Sequence, residues 1–130
     1  MTTRAKIETK GFAEYLEKLA LAGADVDQSI GKALQAGAEV AKEGMERRVA
    51  KDTHNLEEHI EVSEIKRDGN FSYVEVGVLH ADAETARYGN AQEYGTASMP
   101  AQPYIRPAMS EDAGKIKKAM KDSLVQDGTL

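Results

Sequence analysis

The side chains best equipped for chemistry stand together in His54-Asn55-Leu56-Glu57-Glu58-His59. Two imidazoles and two carboxylates so close in sequence offer the donors of a zinc-dependent hydrolase. The spacing argues against that chemistry. Histidines that share a metal from one helix stand four apart, which puts both rings on one face. Here they stand five apart, about 140° around a helix at about 100° per residue. The inverted zinc motif, H-x-x-E-H, is missed by one residue. A third ligand is not identifiable, although His80 could approach His59 at the open end of a hairpin. A polar connection between a helix and a strand explains the cluster better, and a small metal-dependent hydrolase is carried as a rival reading.

Other chemistries find less support. No G-x-S-x-G elbow occurs, and no glycine-rich phosphate loop follows a strand. The carboxylates suit solvated helix faces. Lys115, Lys117, Lys118 and Lys121 in KIKKAMK could touch nucleic acid, but no aromatic residue is interleaved and acidic residues flank them. An ordinary solvated face is favoured, and a nucleic-acid-binding regulator is the second rival. With 22 acidic and 17 basic residues the formal charge is −5, a poor balance for gripping phosphates. The absence of cysteine removes disulfides, thiol nucleophiles and thiolate metal sites. Nothing reads as a signal peptide or a membrane span, so a soluble chain made in a cytoplasm is expected. Neither a cofactor nor a metal is expected, and the reading is non-enzymatic.

The elements that would position any site follow from periodicity. One domain over residues 1–130 is expected, with 1–10 a flexible leader and 125–130 a flexible tail. Hydrophobic residues make up 41 % but aromatics only 5 %, which predicts a thin, closely packed core. Phe12, Leu16, Leu19 and Ala20 recur at helical spacing before Gly23. The longest periodic run spans about Asp25 to Lys51, with Ile30, Leu34, Gly37, Ala41, Met45 and Val49 along one stripe. Gly31, Gly37 and Gly44 each cost about 1 kcal/mol inside a helix. They predict that another backbone lies close and that the helix packs tightly on a sheet. Strands are predicted over His59–Arg67 and Phe71–Leu79, joined by a three-residue loop with a bulge. That register pairs Ile60 with Val78, Val62 with Val76 and Ile65 with Tyr73. A short helix from Asp82 to Tyr94 ends at Gly95, and a final helix opens at Pro107 with Met109, Ala113, Ile116, Met120 and Leu124 inward. The fold class is α+β: an antiparallel sheet containing a hairpin, backed by a long helix, with smaller helices at the edges.

The stretch from Gln92 to Ala108, QEYGTASMPAQPYIRPA, holds all 3 prolines of the chain. Prolines fix φ and push Met99, Gln102 and Arg106 toward extended conformations. The extended backbone must find partners in water, a strand edge or another chain. Two readings stand, and one segment can serve both. Tyr104 and Ile105 could strap down over the core, or Tyr94, Met99, Tyr104 and Ile105 could face a partner from a preorganised scaffold.

These residues resemble the tail-completion or head–tail joining proteins of long-tailed bacteriophages. Members carry a tyrosine followed by Glu-aromatic-Gly-Thr, then a proline-rich loop leading to an aromatic, a polar residue and Pro-Ala at the last helix. Here Tyr88 precedes Glu93-Tyr94-Gly95-Thr96, and Gln102-Pro103-Tyr104-Ile105-Arg106-Pro107-Ala108 closes the pattern. Upstream, Thr53, Leu56 and Ile60 match the family's Thr-Gly-x-Leu-x-x-Ser-Ile, while His54 and His59 replace its glycine and serine. The resemblance implies a structural virion protein of the neck or upper tail, assembled in the host cytoplasm. It implies a homo-oligomeric ring, expected to be hexameric, that completes or terminates the tail and joins it to the head connector, with head-completion or connector proteins and the tail tube protein as partners and DNA sliding through the lumen without specific binding. The acidic balance suits such a channel. The expected partner-facing residues are Tyr88, Glu93, Tyr94, Gly95, Thr96, Met99, Pro100, Gln102, Pro103, Tyr104, Ile105, Arg106 and Pro107.

Overall fold

In a computed structural model that describes residues 3–50 and 56–128, strand β4 (Phe71–Val78) is the spine of the sheet. It pairs antiparallel with β1 (Arg4–Glu8) on one side and with β2 (Ile60–Val62) and β3 (Lys66–Asp68) on the other. Alternation divides the sheet cleanly. Ala5, Ile7, Ile60, Val62, Val74, Val76 and Val78 turn inward, while Arg4, Lys6, Glu61, Tyr73 and Glu75 turn out. The outer face is laced with charge: Glu75 accepts from Arg4 at 3.3 Å and Lys66 at 2.5 Å, and Lys6 lies 4.4 Å from the Tyr73 ring centre.

The helix α2 (Val26–Arg48) covers the inner face, and Asp25 caps it by accepting from the Gln28 N–H at 3.1 Å. Its glycines do admit a close neighbour, but that neighbour is mainly helical. A Cβ on Gly37 would stand 2.7 Å from Met120 Cγ and 3.2 Å from Ile7 Cγ2, and one on Gly44 would run into the Asp112 carboxylate. Thus α2 is held between the sheet and the C-terminal helices, and its glycines make room for side chains rather than for another backbone. The shorter α1 (Ala13–Leu21) and α3 (Ala83–Tyr94) flank this core, α3 starting at the Asp82 cap.

The structure departs from sequence expectation at four further places. Residues 4–8, expected in a flexible leader, form β1, since Ala5 and Ile7 supply just enough alternation to add an edge strand. The final helix is two helices, α4 (Ile105–Glu111) and α5 (Ala113–Gly128), meeting at Asp112. Most of the expected flexible tail belongs to α5, where Asp127 accepts from Ser29 Oγ at 2.7 Å and Lys32 Nζ at 3.0 Å.

The fourth difference lies in the hairpin. Ile60–Val78 and Val62–Val76 pair as expected, but Tyr73 faces Lys66 instead of Ile65. The extra residue sits inside the strand, and the loop is a two-residue Gly69-Asn70 turn with Gly69 at φ 63°. Ser63 permits the slip: its N–H donates to Glu75 O, and its hydroxyl accepts the Glu75 N–H, both at 2.8 Å. The bulge swings Ile65 from the outer face toward Gly31 of α2, within 3.4 Å of that residue's Cβ position.

Candidate interaction surface

At the C-terminal end of α3, Glu93 is enclosed, only 1 % exposed, although carboxylates seldom are. Its two oxygens take the first-turn donors of α4. Oε1 accepts the backbone N–H of Tyr104 at 2.9 Å and of Ile105 at 2.7 Å. Oε2 accepts the Arg106 N–H at 3.0 Å and Arg106 Nε at 2.8 Å. The Glu93 carbonyl adds a bond from Arg106 Nη2 at 2.5 Å. One helix thereby lends its side chain as the N-terminal cap of another, which Tyr104 at the cap position does not supply itself. Burial alone would raise the Glu93 carboxyl, but the Ile105 N–H, the Arg106 side chain and the two other amides hold it below the ordinary carboxylate value.

Between these anchors the chain makes a stiff loop. Gly95 ends α3 at φ 78°, and a Cβ there would lie 2.9 Å from Ala101 N. Thr96 and Met99 close a tight turn, the Thr96 N–H donating to Met99 O at 2.8 Å, and Gln102 N–H donates to Gln92 O at 2.7 Å. The loop descends to Tyr104, which is 0 % exposed and donates its hydroxyl to Gly89 O at 3.3 Å. Burial, with the Glu93 carboxylate and Tyr94 nearby, pushes the Tyr104 phenol well above its usual value.

This geometry sorts the expected partner-facing residues. Tyr104, Ile105 and Glu93 are internal, and Tyr88, Gly95, Met99 and Pro107 are half-buried. Thr96, Pro100, Gln102, Pro103 and Arg106 are exposed, and Tyr94 is 44 % exposed. The Arg106 guanidinium lies 4.8 Å from the Tyr94 ring centre, so an aromatic–cation pair crowns the loop. Tyr104, Ile105 and Glu93 therefore form an inner strap, and the exposed residues form an outer ridge above it.

The histidine cluster looks different. His54 lies outside the described residues. Glu57 and Glu58 are exposed on a short 3₁₀ turn (Leu56–His59) anchored by buried Leu56. His80 meets Glu61 at 2.7 Å. Among the described residues no three metal-ligating side chains converge. The four C-terminal lysines are exposed, and Lys118 pairs with Asp122 at 2.7 Å.

Sequence reasoning missed the Asp112 clamp. This carboxylate is buried where α4 meets α5 and accepts from Arg48 Nη1 at 2.9 Å and Arg47 Nη2 at 3.1 Å. Hydrogen bonding from Arg48 holds it below the usual carboxylate range. Its partners are more than sixty residues away in sequence, so no local pattern announces it.

The family model described as "Bacteriophage HK97-gp10, putative tail-component" matches residues 10–95, from the approach to α1 through the end of α3. The stiff loop and the last two helices follow that matched region. Neither the curated proteins nor the solved structures hold a significant match to the chain. With the match covering more than half its length, the chain belongs to the HK97-gp10-like family of bacteriophage tail components, structural proteins of the virion.

Proposed function

We propose that this tail component forms a ring, of six copies to match a tail tube, that completes or terminates the tail and joins it to the head connector. The observation that carries this reading is the braced loop. Glu93 fixes the strap from beneath, so Tyr94, Thr96, Pro100, Gln102, Pro103 and Arg106 stand outward in one held conformation. A surface ordered before contact loses little freedom on binding, and Tyr and Arg are the residue types that concentrate binding energy. The ridge meets a neighbouring copy or an adjoining neck or tail-tube subunit, with half-buried Tyr88, Gly95, Met99 and Pro107 at its margin. Glu93, Tyr104 and Ile105 act from inside by holding its shape. The net charge of −5 suits a lumen through which DNA slides without specific binding.

Electron microscopy of particles assembled without this subunit tests the reading. Filled heads apart from tails, or tails of abnormal length, are expected. Joined particles of normal length would overturn it.

A further inference from the structure

Strand β4 separates two flanks of opposite charge. On the β1 flank a groove runs between the β1–α1 connection and α5, with Lys6, Lys10 and Lys117 around Phe12, Ile116 and Met120. It continues past Gly11 to Lys118 and Lys121. Lys6 is answered by Asp68 at 3.3 Å and by Glu8, a carboxylate of the same groove, at 3.8 Å. Lys118 is answered by Asp122. Lys10, Lys117 and Lys121 are exposed and have no ion-pair partner among the described residues.

On the β2 flank a second groove lies between α2 and the bulged strand, lined by Gln35, Glu39, Ser63, Glu64 and Ile65. Ile65, 49 % exposed, offers an apolar contact there. Farther along α2 the lining passes to Glu43, Glu46, Glu57 and Arg47, the last engaged with Asp112 at 3.1 Å. Glu39 and Glu43 are exposed and have no ion-pair partner among the described residues.

The two flanks match in spacing as well as sign. Lys117 and Lys121 stand one turn apart on α5, and Glu39 and Glu43 stand one turn apart on α2. Within one subunit each pair repels; set helix against helix, each lysine gains a carboxylate. We propose that the basic groove of one copy receives the acidic α2 flank of the next, Lys117 and Lys121 facing Glu39 and Glu43. This inference rests on the ring reading and names the surfaces that would build it. Contact between two different surfaces leaves one of each free, so it propagates until the rotation closes. DNA would satisfy the lysines but would leave the acidic flank unmatched, whereas a second copy satisfies both. The contact also hides the lysines from DNA in the lumen.

Charge exchange tests this in cells infected with phage lacking the subunit and supplied with variants. The readout is subunit content of purified particles. Lys117→Glu/Lys121→Glu and Glu39→Lys/Glu43→Lys are each expected to lower it about tenfold or more, because like charges then face each other. Both reversals combined in one chain, or the two variants co-expressed, are expected to restore it to within about threefold of wild type. Lys117→Gln/Lys121→Gln and Glu39→Gln/Glu43→Gln read the same contact where a reversal unfolds the chain, with a loss of about threefold expected. The proposal is overturned if folded reversal or neutral variants are incorporated normally, or if neither rescue restores content. A loss confined to the lysine variants also overturns it and assigns the groove to DNA or another acidic partner. In every such case the ring reading survives as long as particles without the subunit remain unjoined or of abnormal length.

Discussion

Glu93 is a charged group kept inside a small protein by four donors, three of them backbone amides that would otherwise be orphaned. A side-chain amide in place of this carboxylate would set its own N–H groups against those donors, so Glu93→Gln should cost about 3 kcal/mol. For a chain of this size that corresponds to a melting temperature lower by about 10 °C, measurable by circular dichroism. Acid should act in the same direction. The folded-state value of Glu93 lies below its ordinary 4.5, so its contribution is complete above that value and is lost as pH falls through the depressed one. Asp112, also depressed, adds to the same acid limb. Glu93→Gln should therefore flatten, without abolishing, the loss of stability below about pH 4.5. An unchanged acid limb would contradict this account of the strap.

Among the elements, α2 carries most of the packing constraint, and a tight glycine on it can be compared with an open one on α5. Gly44→Ala forces a methyl into the Asp112 carboxylate and should cost about 2 kcal/mol. Gly114→Ala near the start of α5 meets nothing within 4 Å and should stabilise by about 0.5 kcal/mol. Chemical denaturation of the two variants checks both signs. The same elements show how much of the fold was legible. Alternation at Ile60, Val62, Val76 and Val78 was enough for the outer hairpin register, and the Asp82 and Gly95 signals bounded α3. The bulge was misplaced because Ser63 shifts the ladder with a hydroxyl, which hydrophobic pattern does not encode. Strand β1 was missed because five residues with two inward apolar side chains hardly depart from a polar leader. The proline loop was legible as stiff, but Glu93 as its brace was not, since the carboxylate and its amides are brought together only by the α3–α4 arrangement.

At the scale of the whole molecule, one apolar cluster among the described residues supports two kinds of charged surface and a rigid ridge. The subunit is acidic overall, yet its basic groove and acidic flank are segregated by the sheet, which under the proposal would let identical copies orient one another. In the proposed assembly the braced loop would add a contact that does not depend on net charge. Both features suit the proposed role of this tail component, a subunit fitted between others in the tail. The most direct test is a cryo-electron-microscopy structure of the intact neck and tail. It should show Tyr94, Pro103 and Arg106 covered by another subunit while Tyr104 remains inside its own chain. A ridge left open to solvent in every copy would contradict the central claim.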